Sequence, residues 1–458
     1  MVKNKIYLIS KFFSTPLINV SKKDVLSYFF LYLLLISLGS VAYGYLLNLN
    51  NELYDENFNI IFKNISFSNG EIIHNLYYKN EYFTEFQNIT FYLQKTPAIP
   101  FLIYFISLIS KNFFFIIIFK NLLIFSIYFF ISYVSIKSTQ KSFFLFFLVS
   151  LVPIIIPYNF GVSLNFVYED SLIAILLPSI FILLITNYKK KYFYIGIFTF
   201  ILYFVKTSMF FIILIIPILI LMLDKKSFSK FIPITFSCLA ILIWGFYGLN
   251  KTGRFPVLNT SSSFNSYVMS FALNKDFHKY YPLKSTDLIP KYKLSKNIKN
   301  EWEFYDYYKE INREYLKKNF NRYMKDFFIK AKFIFFGINR DGVFYDKDGN
   351  PAFATDAIMD TNDNKIRLSQ LISKIILNLS IIILAFNCLN NYKKIINQKK
   401  EIYYLIILIL NLLPHLALWA TSKHLVGIIN ISLIFLIFSI TDRVNIRFFR
   451  NSTDVGKS

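Results

Sequence analysis

YFYIGIFTFILYFVKTSMFFIILIIPILILML, residues 192–223, is the stretch on which the fold turns. It is a long apolar run interrupted by Lys206. As one helix, at 1.5 Å per residue, it would be ~48 Å long, well beyond a ~30 Å hydrocarbon core. The run is too long for one comfortable span and short for two. Read as one span, it sends the later Lys-rich loops outside. Read as two short spans meeting at Lys206, it puts Lys225, Lys226 and Lys230 inside, together with 393–400 and Arg443, Arg447 and Arg450. The cytoplasmic excess of Lys and Arg in membrane proteins favours two.

The rest of the chain follows from that choice. Of 458 residues, 55% are hydrophobic and 20% aromatic, and the mean hydropathy is +0.46. This is the composition of an integral membrane protein. Further apolar runs at 26–48, 112–136, 142–157, 171–187, 231–249, 365–388, 402–420 and 424–441 bring the expected number of spans to about ten. The expected fold is therefore an all-α polytopic membrane protein with both termini inside. Residues 1–25, with Lys3, Lys5, Lys11, Lys22 and Lys23, read as the flank of a signal anchor, because no small-residue cleavage site follows. The chain divides into a transmembrane module over 1–249 that includes the loop 49–97, a small, mostly helical external domain over 250–364, and a second transmembrane module over 365–458. Segment 98–110 is too short to cross and reads as an interfacial or re-entrant helix. Residues 301–336 carry apolar side chains at helical spacing among mixed charges, as in one or two amphipathic helices lying on the membrane.

The net charge of +23 resides mainly in short clusters between spans. Orientation and anionic headgroups explain it without a nucleic-acid partner. Cys238 and Cys388 lie in apolar runs, so neither a disulfide framework nor a cysteine metal site is expected.

With the parity set by Lys206, the polar residues suited to chemistry collect on the outer face. The first loop holds Glu52, Asp55, Glu56, Glu71, Glu81 and Glu85. Asp55 and Glu56 follow the first span closely enough to reach the membrane surface, either as bases or as solvated loop carboxylates. Glu169 and Asp170 can hold a divalent metal, orient an acceptor, or simply cap a span; no other cofactor is indicated. Lys206 is expensive in an apolar run unless it reaches the interface, where its ammonium binds either a phosphate or the headgroups. Lys423 with His424 is a second cationic pair. Lys120-Asn121 lies deeper and is expected to face other helices.

Several of these stretches resemble one family. YDENFNIIFKNISFSNG (54–70), LQKTPAIPFLIYFISLIS (93–110), FYGLNKTGRFPVLNTSS (246–262), the block 301–336 with Lys330 and Lys332, and HLALWATSKHLVGIINISLIFLI (415–437) are similar to segments of the GT-C superfamily of membrane glycosyltransferases. That superfamily includes the protein O-mannosyltransferases and lipid A aminoarabinose transferases. Lys423-His424 stands where relatives often show Arg-Tyr. The resemblance implies an inverting enzyme of the bacterial inner membrane. It would move a sugar from a polyprenyl-phosphate donor in the lipid to a lipid, glycan or protein acceptor outside. Asp55, or its neighbour Glu56, would act as general base, a role worth ~10²–10⁴-fold. The carrier phosphate would lie near Lys206 or Lys423-His424, with Glu169 and Asp170 beside the substrates. The alternatives are an O-antigen polymerase or ligase, which relies on basic residues of a late external loop, and a lipid-linked saccharide flippase, which places charges in the middle of its spans.

Overall fold

The computed structural model describes residues 15–51, 69–86, 89–165, 169–224, 227–260, 262, 298–318, 320–336, 344–345, 351–352, 364–390, 399–417 and 423–454. Asp55 and Glu56 lie outside them.

The apolar runs become helices: α1 (Lys22–Asn51), α2 (Asn69–Lys79), α3 (Ala98–Ile109), α4 (Phe113–Ser138), α5 (Phe143–Ile155), α6 (Pro157–Leu164), α7 (Asp170–Ile185), α8 (Lys191–Val205), α9 (Phe210–Leu223) and α10 (Ile232–Thr252). α11 (Glu301–Lys318) and α12 (Phe320–Phe336) follow, then α13 (Asn364–Asn390), α14 (Lys399–Ala417) and α15 (Val426–Asp454). Local chemistry sets several boundaries. The Asn112 and Ser142 side chains accept the amides of Phe115 and Leu145, capping α4 and α5. Pro157 opens α6 and Pro233 lies in the first turn of α10, positions where a missing amide proton costs nothing.

The run 192–223 divides where Lys206 interrupts it. α8 ends at Val205, Lys206 is extended (φ −158°, ψ 115°), and a 3₁₀ turn over Thr207–Met209 leads into α9. Among the described residues, four helices are long and apolar enough to cross a membrane: Lys22–Tyr45, Phe113–Ser138, Phe228–Thr252 and Leu368–Asn390. The pair α5 and α6, bent by 74°, makes a fifth if counted as one broken span. The chain is thus a mostly helical membrane protein, and the remaining apolar helices are shorter.

Two features differ from the sequence reading. Residues 157–164 form the half-helix α6, where an outer loop was expected. The break at Ile156 before Pro157 explains it, since a residue preceding proline is driven out of the helical region. The fold is also not purely helical: β1 (Thr84–Phe86) pairs with β2 (Ile89–Phe91), and β3 (Phe344–Tyr345) with β4 (Pro351–Ala352), each antiparallel.

α7 is the axis of the bundle. Every residue from Asp170 to Leu184 is buried, and α4, α6, α8, α14 and α15 pack around it. A helix apolar on all faces belongs in a core. Close approach is built in: a Cβ at Gly427 of α15 would come within 3.3 Å of the Ile173 backbone carbonyl. Polar side chains knit the interior. Lys120 donates to the Asn165 carbonyl and to Ser171 Oγ, and Asn121 donates to Ser40 Oγ and the Leu164 carbonyl. Asn159 donates to Asn430, which donates to the Ala174 carbonyl. Lys120 and Asn121 therefore face other helices, as expected.

The connections sort to two ends. At one, Lys191 and Lys399 pair with Asp224 at 3.1 and 2.6 Å, and the Leu17 amide bonds the Lys141 carbonyl. This lysine-rich end gathers the loops that the charge rule assigns to one side. The opposite end carries Glu169, Asp170, Lys206 and His424.

Asp224 receives Tyr192 Oη at 2.8 Å as well as the two lysines, and its side chain is 3% exposed. Burial alone would raise this carboxyl, but Lys399, Tyr192 and Lys191 outweigh it and hold it below its ordinary value. Stability from this clamp is therefore present above the ordinary carboxylate range and is lost as pH falls through the depressed folded value. Asp224→Asn is expected to cost about 1–3 kcal/mol, read as a lowered thermal midpoint, because two cations lose their counter-charge and water screens only the more exposed Lys399. Adding Lys399→Met should recover part of the loss.

Candidate functional site

At the end opposite the lysine-rich one, three helices bring ionisable groups together. Asp170 begins α7, Lys206 is the joint between α8 and α9, and His424 lies in the 3₁₀ turn Lys423–Leu425 ahead of α15. Lys206 Nζ donates to Asp170 Oδ1 at 3.3 Å. His424 Nδ1 is 2.9 Å from both Asp170 oxygens and 3.2 Å from Lys206 Nζ. The Asp170 carboxylate only accepts and the Lys206 ammonium only donates, so Nδ1 bonds one or the other according to its tautomer, and either bond fixes the orientation of the imidazole. His415 of α14 stacks on His424 with ring centroids 5.4 Å apart and planes 10° from parallel.

Beside this trio, Lys95 lies 3.5 Å from Glu169 Oε1. Burial pushes Glu169 up, but the Lys95 and Lys206 ammonium groups outweigh it and, against the charge of Asp170, hold the carboxyl below its ordinary value. Exposure within each pair is asymmetric. The Lys206 and His424 side chains are 24% and 16% exposed against 4% for Asp170, and Lys95 is 32% exposed against 12% for Glu169. The cations meet the surroundings and the carboxylates lie beneath them.

Irregular segments wall the site. α10 ends at Gly253, whose left-handed φ of 74° is the C-terminal turn that glycine tolerates. The chain then folds back, and Phe255 and Pro256 fill the notches at Gly245 and Gly248, where a Cβ would collide with them. This returning segment is held by Tyr203 Oη donating to the Val257 carbonyl, and by the Asn259 backbone amide donating to Thr207 Oγ1. It meets the segment before α3 where the Thr260 amide donates to the Leu93 carbonyl. Thr96 Oγ1 donates to the Val205 carbonyl at 2.6 Å, tying that segment to the end of α8. Glu301 of α11 locks both segments, accepting from the Tyr92 and Leu93 amides and Thr260 Oγ1, while burial raises its carboxyl.

Of the residues singled out from sequence, Glu169, Asp170, Lys206 and His424 come together here. The Lys423 side chain, Asp55 and Glu56 lie outside the described residues. The two carboxylates engage cations, and among the described residues no group of three or more His, Cys, Asp or Glu is placed to hold a metal ion. Lys95 and His415 were not anticipated. The signal for His415 was available in composition, since the chain has 4 histidines and two fall within the segment 415–437.

Comparisons with protein-family models, characterised proteins and solved structures return no match.

The geometry predicts coupling between groups far apart in sequence. In a double-mutant cycle of Asp170→Asn and His424→Gln, thermal unfolding should show an interaction of about 0.5–3 kcal/mol. Additive effects would mean that Asp170 does not hold the imidazole.

Proposed function

We propose that this chain is a glycosyltransferase of the GT-C type. It takes a sugar from a polyprenyl-phosphate donor and passes it, with inversion, to a lipid, glycan or protein acceptor. In this reading the protein crosses a bacterial inner membrane about ten times, with both termini in the cytoplasm and the Asp170–Lys206–His424 end outside. The observation that supports it most is the asymmetric exposure of that cluster: Lys206, His424 and Lys95 face outward over Asp170 and Glu169, so an arriving anion meets cations. A carrier phosphate satisfies Lys206 and His424 from the open side while Asp170 holds both from behind. No general acid is required, because the leaving group is already a phosphate. Asp55 is the proposed base that removes the acceptor's proton, with Glu56 its neighbour.

A lipid-linked saccharide flippase is the second reading. It is favoured by the broken pair α5–α6 and the buried Lys120 beside it, since discontinuous helices and intramembrane charges mark transport pathways.

Lys206→Met should weaken binding of a polyprenyl-phosphate sugar roughly tenfold to a hundredfold, the worth of one charge-assisted hydrogen bond, with the protein still folded. Unchanged affinity would return Lys206 to headgroup contact. Asp55→Asn should lower turnover by ~10² or more with donor binding retained. In proteoliposomes carrying a labelled donor, movement across the bilayer with no transfer to acceptor would favour the flippase. Orientation is tested by cysteines at the exposed positions 254 and 190. External reagent should modify the first and spare the second, and the reverse would move the cluster to the cytoplasmic side.

A further inference from the structure

At the lysine-rich end, α1 and α4 run side by side and leave a groove between them. On α1, Lys22, Leu26 and Phe29 follow one another at helical spacing, and on α4 Ser126, Phe130 and Tyr133 do the same. Each set is one stripe of its helix, and together they enclose about 220 Å³. The walls are aliphatic and aromatic. Leu26 and Phe130, 53% and 48% exposed, flank the opening.

The charges of this groove are confined to its lysine-rich end. Lys22 lines it there. Lys137, one turn beyond Tyr133 on α4, donates to Tyr133 Oη at 3.0 Å, so a second ammonium is held at the rim. Asp24 does not neutralise them. It sits two residues from Lys22, on another face of α1, and is engaged with Ser21, whose Oγ donates to Asp24 Oδ2 at 2.7 Å. An apolar slot with two cations at one end matches an acyl chain joined to an anionic headgroup, and it matches neither a neutral lipid nor a soluble anion.

We propose that the α1–α4 groove is a binding site for one anionic glycerophospholipid, its acyl chain lying between Leu26 and Phe130 and its phosphate at Lys22 and Lys137. Each lysine at a membrane surface raises affinity for an anionic lipid roughly fivefold. The site lies at the end opposite the Asp170 cluster and does not depend on the function proposed for it.

The test uses the full-length protein in nanodiscs of phosphatidylglycerol and phosphatidylcholine in equal amounts, released into detergent for native mass spectrometry. The wild-type chain should retain one phosphatidylglycerol. Lys22→Gln with Lys137→Gln should lower that preference roughly tenfold or more, and Ser126→Phe, which fills the groove, should remove the lipid altogether. Leu34→Trp, on the exposed side of α1, should change nothing. Thermal midpoints identify any variant that fails to fold, and if Ser126→Phe does, the double glutamine variant decides alone. Equal retention of the two lipids by wild type would overturn the site. So would an undiminished preference in the double variant, or displacement of phosphatidylglycerol by added polyprenyl phosphate.

Discussion

A carboxylate at the edge of an apolar bundle must be neutralised where it stands, because desolvating an ion costs several kcal/mol and an unpaired partner costs more. Two aspartates impose this requirement at opposite ends of the molecule, and the α8–α9 hairpin serves both. Lys206, at its tip, reaches Asp170 on the central helix. Asp224, at its base, binds Lys191 of its own first helix and Lys399 of α14. A hairpin of two short helices is thus fixed to the core by charge at both ends, while its apolar faces pack against α7 and α10. The register of α7 within the bundle is set by the same contacts.

The part of this that was legible in the sequence is the part governed by the cost of charge in lipid. A lysine in the middle of residues 192–223 had to sit at a break, and it does. The lysine clusters after α7, α9 and α13 had to share a side, and Asp224 joins two of those connections. What was not legible depends on distant partners. Residues 157–164 read as the start of an outer loop, yet Asn159 and Ser163 are buried in α6, and the Asn159 side-chain amide donates to Asn430, 271 positions away. Lys95 and His415 gain their meaning only from Glu169 and His424. Asp170 read as one of two interchangeable acids, although it is the one that holds Lys206 and His424.

The buried amides form a further layer of order. Asn121, Asn159 and Asn430 bond across helices without any charge, and Lys120 closes the C-terminal end of α6 by donating to the Asn165 carbonyl, where the helix dipole favours a cation. These contacts sit directly beneath Asp170, at the first turn of α7. The cluster therefore rests on a layer of hydrogen bonds that cross between helices.

The roof is made differently from the floor. Residues 92–96 and 254–260 are irregular segments, not helices, and Glu301 fastens them to each other by backbone amides and one threonine hydroxyl. Side chains along these segments hold them as well: Thr96 bonds the Val205 carbonyl, Asn259 the Gln94 carbonyl, and Phe255 and Pro256 fill the notches at Gly245 and Gly248. The two layers therefore answer to different constraints: the floor is fixed by bonds between helices, whereas the cover is pinned at a few side chains, so losing one pin would loosen the rim of the cluster before it disturbed the membrane-embedded frame.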